Sequence, residues 1–162
     1  MKVLLVFYSK LLNENELLQR AGEKVSILKR LIGPDSLYAV ITSEMKDFID
    51  RFPDLVFIRN DKGTFLYGLY KGLRKLRGND VLVLDPFQII SLDKIKEFTS
   101  KRRINALHSL NEQWKGIALF RLIDLDYFIR SLEFLLLETE EEDLNTLMKK
   151  VRQDYGIEYE ML

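Results

Sequence analysis

Cysteine is absent from the 162-residue chain, and histidine occurs once. No disulfide framework, thiolate zinc site, iron–sulfur cluster or cysteine nucleophile can be built, and one histidine cannot make a His-rich metal cage. Excess charge of one sign is missing too: 25 Lys and Arg balance 25 Asp and Glu. A broad nucleic-acid footprint needs clustered cations, so nucleic acid is not an expected partner. No apolar run approaches the roughly 18–20 residues of a spanning helix, so no membrane segment is expected. Residues 1–8 are too short for the apolar core of a signal peptide and run straight into charged sequence, which points to a cytoplasmic protein. Low-complexity segments, internal repeats and Gly/Ser/Pro linkers are also lacking. Residues 1–162 therefore read as one domain, a size that can bury a proper core. Abundant charge of both signs with only four Gln and no Cys resembles thermophile composition.

What is present is an alternation of short β-type runs with helix-period runs. Residues 2–8 are continuously apolar, as in a strand buried on both faces. Residues 16–31 carry Leu17, Leu18, Ala21, Val25, Leu28 and Leu31 close to one helical stripe, ended by Gly33-Pro34. The same reading gives strands at 37–42, 55–58, 81–84, 104–107, 116–121 and 157–162. Helices are expected at 43–52, capped by Ser43, and at 64–76, 91–100, 124–137 and 142–155. This order predicts an α/β protein: a three-layer α/β/α sandwich on a mostly parallel sheet. Strands 104–107 and 116–121 have no helix between them, only a polar loop at 111–113, so antiparallel pairing is expected in the C-terminal half. The first strand should lie centrally, flanked by 37–42 and 81–84.

Open α/β sheets bind ligands outside the carboxyl ends of their strands. The first such junction, Phe7-Tyr8-Ser9-Lys10-Leu11-Leu12-Asn13-Glu14, contains no glycine, and neither G-x-G-x-x-G nor a P-loop occurs anywhere. Ser9 and Lys10 can touch a phosphate, although a plain turn serves the sequence as well. Lys62-Gly63-Thr64 precede a helix and can present amides and a cation to an anion or a base edge; the plain alternative is a Thr-capped loop. Asp85 closes a buried strand, where a carboxylate suits Mg²⁺, or simply opens an Asp-Pro turn. The acidic run 138–143 would feed a helix N-terminus, and its Asp143 can supply a second carboxylate to a cation. Residues 101–103 are a short basic run, and His108 reads as a core or edge residue. The carboxyl ends of strands one, three and four should bring Tyr8, Ser9 and Lys10, Lys62, Gly63 and Thr64, and Asp85 around one cleft.

The ordered series Lys62-Gly63-Thr64, Gly68-Leu69, Gly72-Leu73, Asp80-Val81-Leu82-Val83-Leu84-Asp85, Ile90-Ser91 and Ile95 resembles the middle of nucleotidyltransferases of the nucleotide-diphospho-sugar transferase (GT-A-like) fold. Trp114-Lys115-Gly116-Ile117-Ala118-Leu119-Phe120 is similar to a later strand of the same family. The resemblance implies a Gly-containing loop and a buried strand ending in an aspartate that holds Mg²⁺. Lys10, Lys62, Gly63 and Thr64 would then contact nucleotide, and Asp85 and Asp143 the metal. The family's glycine-rich, Arg-containing first loop has no counterpart at residues 7–14. Preorganised donors around a transferring phosphoryl group are usually the largest catalytic contribution. The expectation is therefore a degenerate nucleotidyltransferase-like domain that binds a nucleotide or nucleotide sugar with weak or no transfer. If active, it would be a Mg²⁺-dependent nucleotidyltransferase. The alternatives are a catalytically silent interaction or regulatory module, working as a homo-oligomer or partner subunit, and a small glycosyltransferase using a nucleotide sugar.

Overall fold

The computed structural model describes residues 1–9, 14–100, 104–138 and 143–162. In chain order its elements are β1 (Lys2–Val6), α1 (Glu14–Ile32), β2 (Leu37–Ile41), α2 (Lys46–Arg51), β3 (Val56–Arg59), α3 (Phe65–Lys75) and β4 (Val81–Leu84). There follow α4 (Leu92–Thr99), β5 (Asn105–Leu110), β6 (Gln113–Phe120), α5 (Leu125–Glu138), α6 (Leu144–Tyr155) and β7 (Tyr159–Met161). The seven strands make one sheet in the order β3-β2-β1-β4-β6-β5-β7. β1 pairs in parallel with β2 and β4 and is central, as its apolar run predicts. β6 runs antiparallel to both β4 and β5, and β7 closes the far edge parallel to β5.

Strand alternation divides the apolar residues between two cores, which makes three layers. Leu4 and Val6 point with Val40, Val81 and Val83 towards α3, α5 and α6. Val3, Leu5 and Phe7 point with Ala39, Leu82 and Leu84 towards α1, α2 and α4. A side chain removed from water in this way contributes about 1.5–3 kcal/mol, so a strand apolar on both faces has its place in the sheet strongly specified. α3 lies close over β1 because it carries glycine at the contact. A Cβ on Gly68 would stand 2.9 Å from Val6 Cγ1, and one on Gly72 would overlap the Leu4 side chain.

The differences from the sequence reading have local causes. The expected helix at 43–52 is a 3-10 turn, Ser43–Met45, followed by α2, whose N-cap is Met45 and not Ser43. The polar loop expected at 111–113 shrinks to two residues, because Gln113 already pairs with Leu110 across β6. Asn111 (φ 51°) and Glu112 (φ 61°) form the turn, the double positive φ that matches strand twist in a two-residue hairpin. Tyr8, expected at the end of the first strand, lies beyond β1, at the carboxyl edge of the sheet. Among the described residues, no helix is long and apolar enough to cross a membrane.

Candidate functional site

The carboxyl edge is organised from two turns. The first follows β3, and its hub is Asn60, only 3% exposed. The Asn60 amide nitrogen donates to the carbonyls of Phe7 (3.1 Å) and Thr64 (2.9 Å), and its oxygen accepts from Gly63 N (3.0 Å). Ser9 N donates to the Gly63 carbonyl at 2.8 Å, so the chain after β1 is laced to the chain after β3. Gly63 has φ +73°, and a Cβ there would stand 2.6 Å from Ser9 Oγ. Glycine is required by both backbone and space. Thr64 caps α3, its side chain accepting from Tyr67 N, and the exposed Lys62 ammonium lies over the Tyr67 ring at 4.8 Å.

The second turn follows β4. Asp85 is 2% exposed, and both of its carboxylate oxygens have partners. Oδ1 accepts from Phe87 N (2.9 Å); Oδ2 accepts from the Tyr8 hydroxyl (2.9 Å) and from Gln88 Nε2 (3.2 Å). Tyr8 is aimed by its neighbours, with its ring edge-on to Phe65 at 5.7 Å and to Phe87 at 4.8 Å. Gln88 also donates to the Trp114 carbonyl at 3.2 Å. Gly116, at φ +95°, brings β6 close, since a Cβ there would stand 2.9 Å from Gln88 Cβ.

Between this turn and the β5–β6 hairpin lies a cleft of about 290 Å³. It is lined by the aromatic residues Tyr8, Phe65 and Trp114, the acidic residues Asp85, Glu112 and Asp143, and Gln88 and Gln113. No lysine or arginine lines it among the described residues. Asp143 is the N-cap of α6: its Oδ1 accepts from Asn145 N at 2.9 Å. Asn145, 5% exposed, in turn donates to the Glu112 carbonyl at 2.7 Å, holding the left-handed Glu112 in place.

Of the residues the sequence singled out, Asp85 and Asp143 meet in this cleft with Tyr8. Lys62, Gly63 and Thr64 do not line it. They stand one turn away, and Phe65, next in the chain, is the residue that reaches the cleft. Lys10, residues 101–103 and the acidic stretch 139–142 lie outside the described residues. His108 is half-buried on β5, where its Nδ1 meets the Leu162 carbonyl, an edge residue with a structural partner.

Sequence reasoning missed Asn60 and Lys24. Lys24, on α1, directs its ammonium at the carbonyls of Asp85 (3.2 Å), Pro86 (2.8 Å) and Gln88. Arg20, one turn earlier, donates to the Phe87 carbonyl at 3.3 Å. Burial pushes the Lys24 amine down from 10.5 to about 8; the Asp85 charge opposes that shift and Arg20 adds to it. The available signal was position: Lys24 borders the apolar stripe of Ala21, Val25 and Leu28, where a long cationic side chain can run along the core and present its head beyond it.

No protein-family model matches the sequence, and comparison with curated proteins finds no match either. Solved structures do match. The chain has a nucleotidyltransferase-like α/β fold. More narrowly, this is the nucleotide-diphospho-sugar transferase-like fold found in CTP cytidylyltransferases. The inositol-1-phosphate CTP transferase of T. maritima superposes with a TM-score of 0.66 at 11% identity, over 100% of this chain and 85% of that one. CMP:2-keto-3-deoxy-manno-octonic acid synthetase, complexed with CTP, gives 0.64 at 12% identity, over 100% and 89%. CTP:phosphocholine cytidylyltransferase from Streptococcus pneumoniae gives 0.58 at 12% identity, over 100% and 90%. At such identities the likeness is one of fold.

Proposed function

We propose that the cleft binds a nucleotide or nucleotide sugar through a divalent cation and supports little or no nucleotidyl transfer. The observation that carries this reading is the meeting of Asp85 and Asp143, remote in sequence, in one cleft at the carboxyl edge of the sheet. Carboxylates repel phosphate, so a cleft with three of them and no described cation accepts a polyphosphate only with a metal between. The donor chemistry fits Mg²⁺, which takes one or two carboxylates and completes its shell with water and substrate oxygens. Asp85 and Asp143 would hold it; each is oriented by hydrogen bonds yet keeps acceptor capacity, since a carboxylate offers about four lone-pair sites. Among the described residues no group of three or more His, Asp or Glu could hold a metal ion, so Glu112 is not counted with Asp85 and Asp143 as a ligand. When bound, the metal would neutralise phosphate charge.

Weak transfer follows from what stands opposite. An aromatic wall and two amides can orient a base or a sugar, but charge developing on a transferring phosphoryl group needs cations or preorganised N–H donors. The glycine-free segment at 7–14 offers no close backbone approach, and each missing donor costs roughly 10²–10³ in rate. Lys10, Lys62, Gly63 and Thr64 remain the candidates for contact with the distal part of the nucleotide. A thermal-shift panel of NTPs and nucleotide sugars, with and without Mg²⁺, tests the reading, and CTP is the first probe. Ligand at 100 times its dissociation constant adds about 2.7 kcal/mol of apparent stability. A rise that needs Mg²⁺ and disappears in Asp85→Asn supports the proposal, and a panel with no Mg²⁺-dependent rise removes it. Pyrophosphate release at ordinary turnover, about 1–10³ per second, would refute the low-transfer half and leave an active enzyme.

A further inference from the structure

The turn that carries Asp85 is fastened from the side opposite the cleft. Its four successive carbonyls, from residues 85 to 88, all accept from cations on α1: three from Lys24 and one from Arg20. Side chains of the same turn point the other way, Asp85 and Gln88 into the cleft. An ammonium has three N–H donors, and here all three have carbonyl partners. A neutral amine would have only two and no charge to strengthen them.

We propose that Lys24 is a positioning residue for the cleft: its ammonium holds the turn at residues 85–88 in the conformation that presents Asp85 and Gln88 to a ligand. Beside the ammonium lies an apolar pocket formed by Leu28, Leu84, Ile90, Leu92 and Ile95, which offers it no counter-charge. The groups that act on it electrostatically are Asp85 at the end of β4 and Arg20 on its own helix.

The consequence for ligand binding rests on the metal–nucleotide reading, but the positioning role can be read without a ligand. Trp114 is the chain's one tryptophan, it walls the cleft, and its carbonyl receives Gln88. Its emission therefore reports on the turn. Trp114 emission at pH 7 should differ between the wild type and Lys24→Met, in which the turn has lost its three donors. Lys24→Arg, which keeps the charge and the donors, should resemble the wild type. Faster amide exchange at residues 87 and 88 in Lys24→Met, with unchanged exchange in β1 and β4, is the second readout, and it stands even if one variant folds poorly. In a separate arm, Mn²⁺·CTP affinity at pH 7 should fall about tenfold in Lys24→Met and be restored by Lys24→Arg. If no form binds Mn²⁺·CTP, the nucleotide reading fails while fluorescence and exchange still decide the role of Lys24. Identical Trp114 emission and identical exchange at 87 and 88 in wild type and Lys24→Met would overturn it.

Discussion

The turn after β3, residues 60–64, and the turn after β4, residues 85–88, flank the segment that leaves β1, and both bond to it. They are fastened by different chemistry. Asn60, buried and neutral, closes the first with three hydrogen bonds of 2.9–3.1 Å that no pH change in the physiological range can alter. Lys24 closes the second with a half-buried ammonium whose proton leaves at about pH 8. The neutral fastening gives permanence. The charged one costs desolvation but leaves the carboxylate-bearing turn adjustable. The turn that lines the cleft is thus the one held by charge, and the turn held by neutral groups stands beside it.

The strongest test of the fixed turn is Asn60→Leu, which removes three side-chain bonds; the Phe7 carbonyl loses its amide donor, while the Thr64 carbonyl keeps Gly68 N and Gly63 N keeps the residue-60 carbonyl. An unpaired buried carbonyl costs about 1–3 kcal/mol and each of the two other lost bonds about 0.5–1.5 kcal/mol, so urea unfolding should show a loss of about 3 kcal/mol, the same at pH 6 and pH 9. Next in size is Asp85→Asn. It should retain most of the fold but lose the Mg²⁺-dependent stabilisation by CTP, about 2.7 kcal/mol at 100 times the dissociation constant. Gly63→Ala should cost about 1–2 kcal/mol, because it combines a positive φ with a clash against Ser9 Oγ; thermal melts measure it.

The smallest effect separates the two turns most cleanly. The folded state lowers the Lys24 pKa from 10.5 to about 8, so between those values the unfolded chain binds more protons. Stability therefore rises with pH through that window, and at neutral pH the protein carries the cost of the charged form. The side chain is partly exposed, so after allowance for solvent screening the gain is no more than about 1–2 kcal/mol. Stability curves at pH 7.5 and 10.5 should show this slope in the wild type and lack it in Lys24→Met, and Asn60→Leu should leave the slope unchanged.

Much of this architecture is written in the sequence, because a strand buried on both faces must be apolar at every position. β1 and β4 meet that demand, so their place at the centre of the sheet could be read directly. Asp85 was legible for a related reason, since it ends such a run and must therefore stand at an edge. Its company was not. Asp143 reaches the cleft only because a two-residue hairpin brings Glu112 beside Asn145, and that contact joins segments with no local signal in common. Asn60 followed by Asp61-Lys62-Gly63 has the composition of an ordinary turn, and nothing in it records that the amide would turn inward. Lys24 is one cation on the edge of an apolar helical stripe, and only the fold reveals the four carbonyls waiting opposite α1. The motif Lys62-Gly63-Thr64 was conspicuous in sequence, yet its glycine serves Ser9 and its threonine serves α3.

The central position of β1 has a consequence for synthesis. β1 needs β4 beside it, and β4 is made almost eighty residues later, so roughly 4–16 seconds of translation separate the two at about 5–20 residues per second. Through that interval the nascent chain holds a strand apolar on both faces with one edge unpaired, the kind of surface that chaperones cover and that aggregation exploits. The parallel half of the sheet can close once β4 emerges, well before β6, β5 and β7 take their places. The cleft must wait longer still, until Asp143 has left the ribosome. On the ribosome, then, the parallel half of the sheet can form first, and the cleft closes last, together with the part of the second core that α6 supplies.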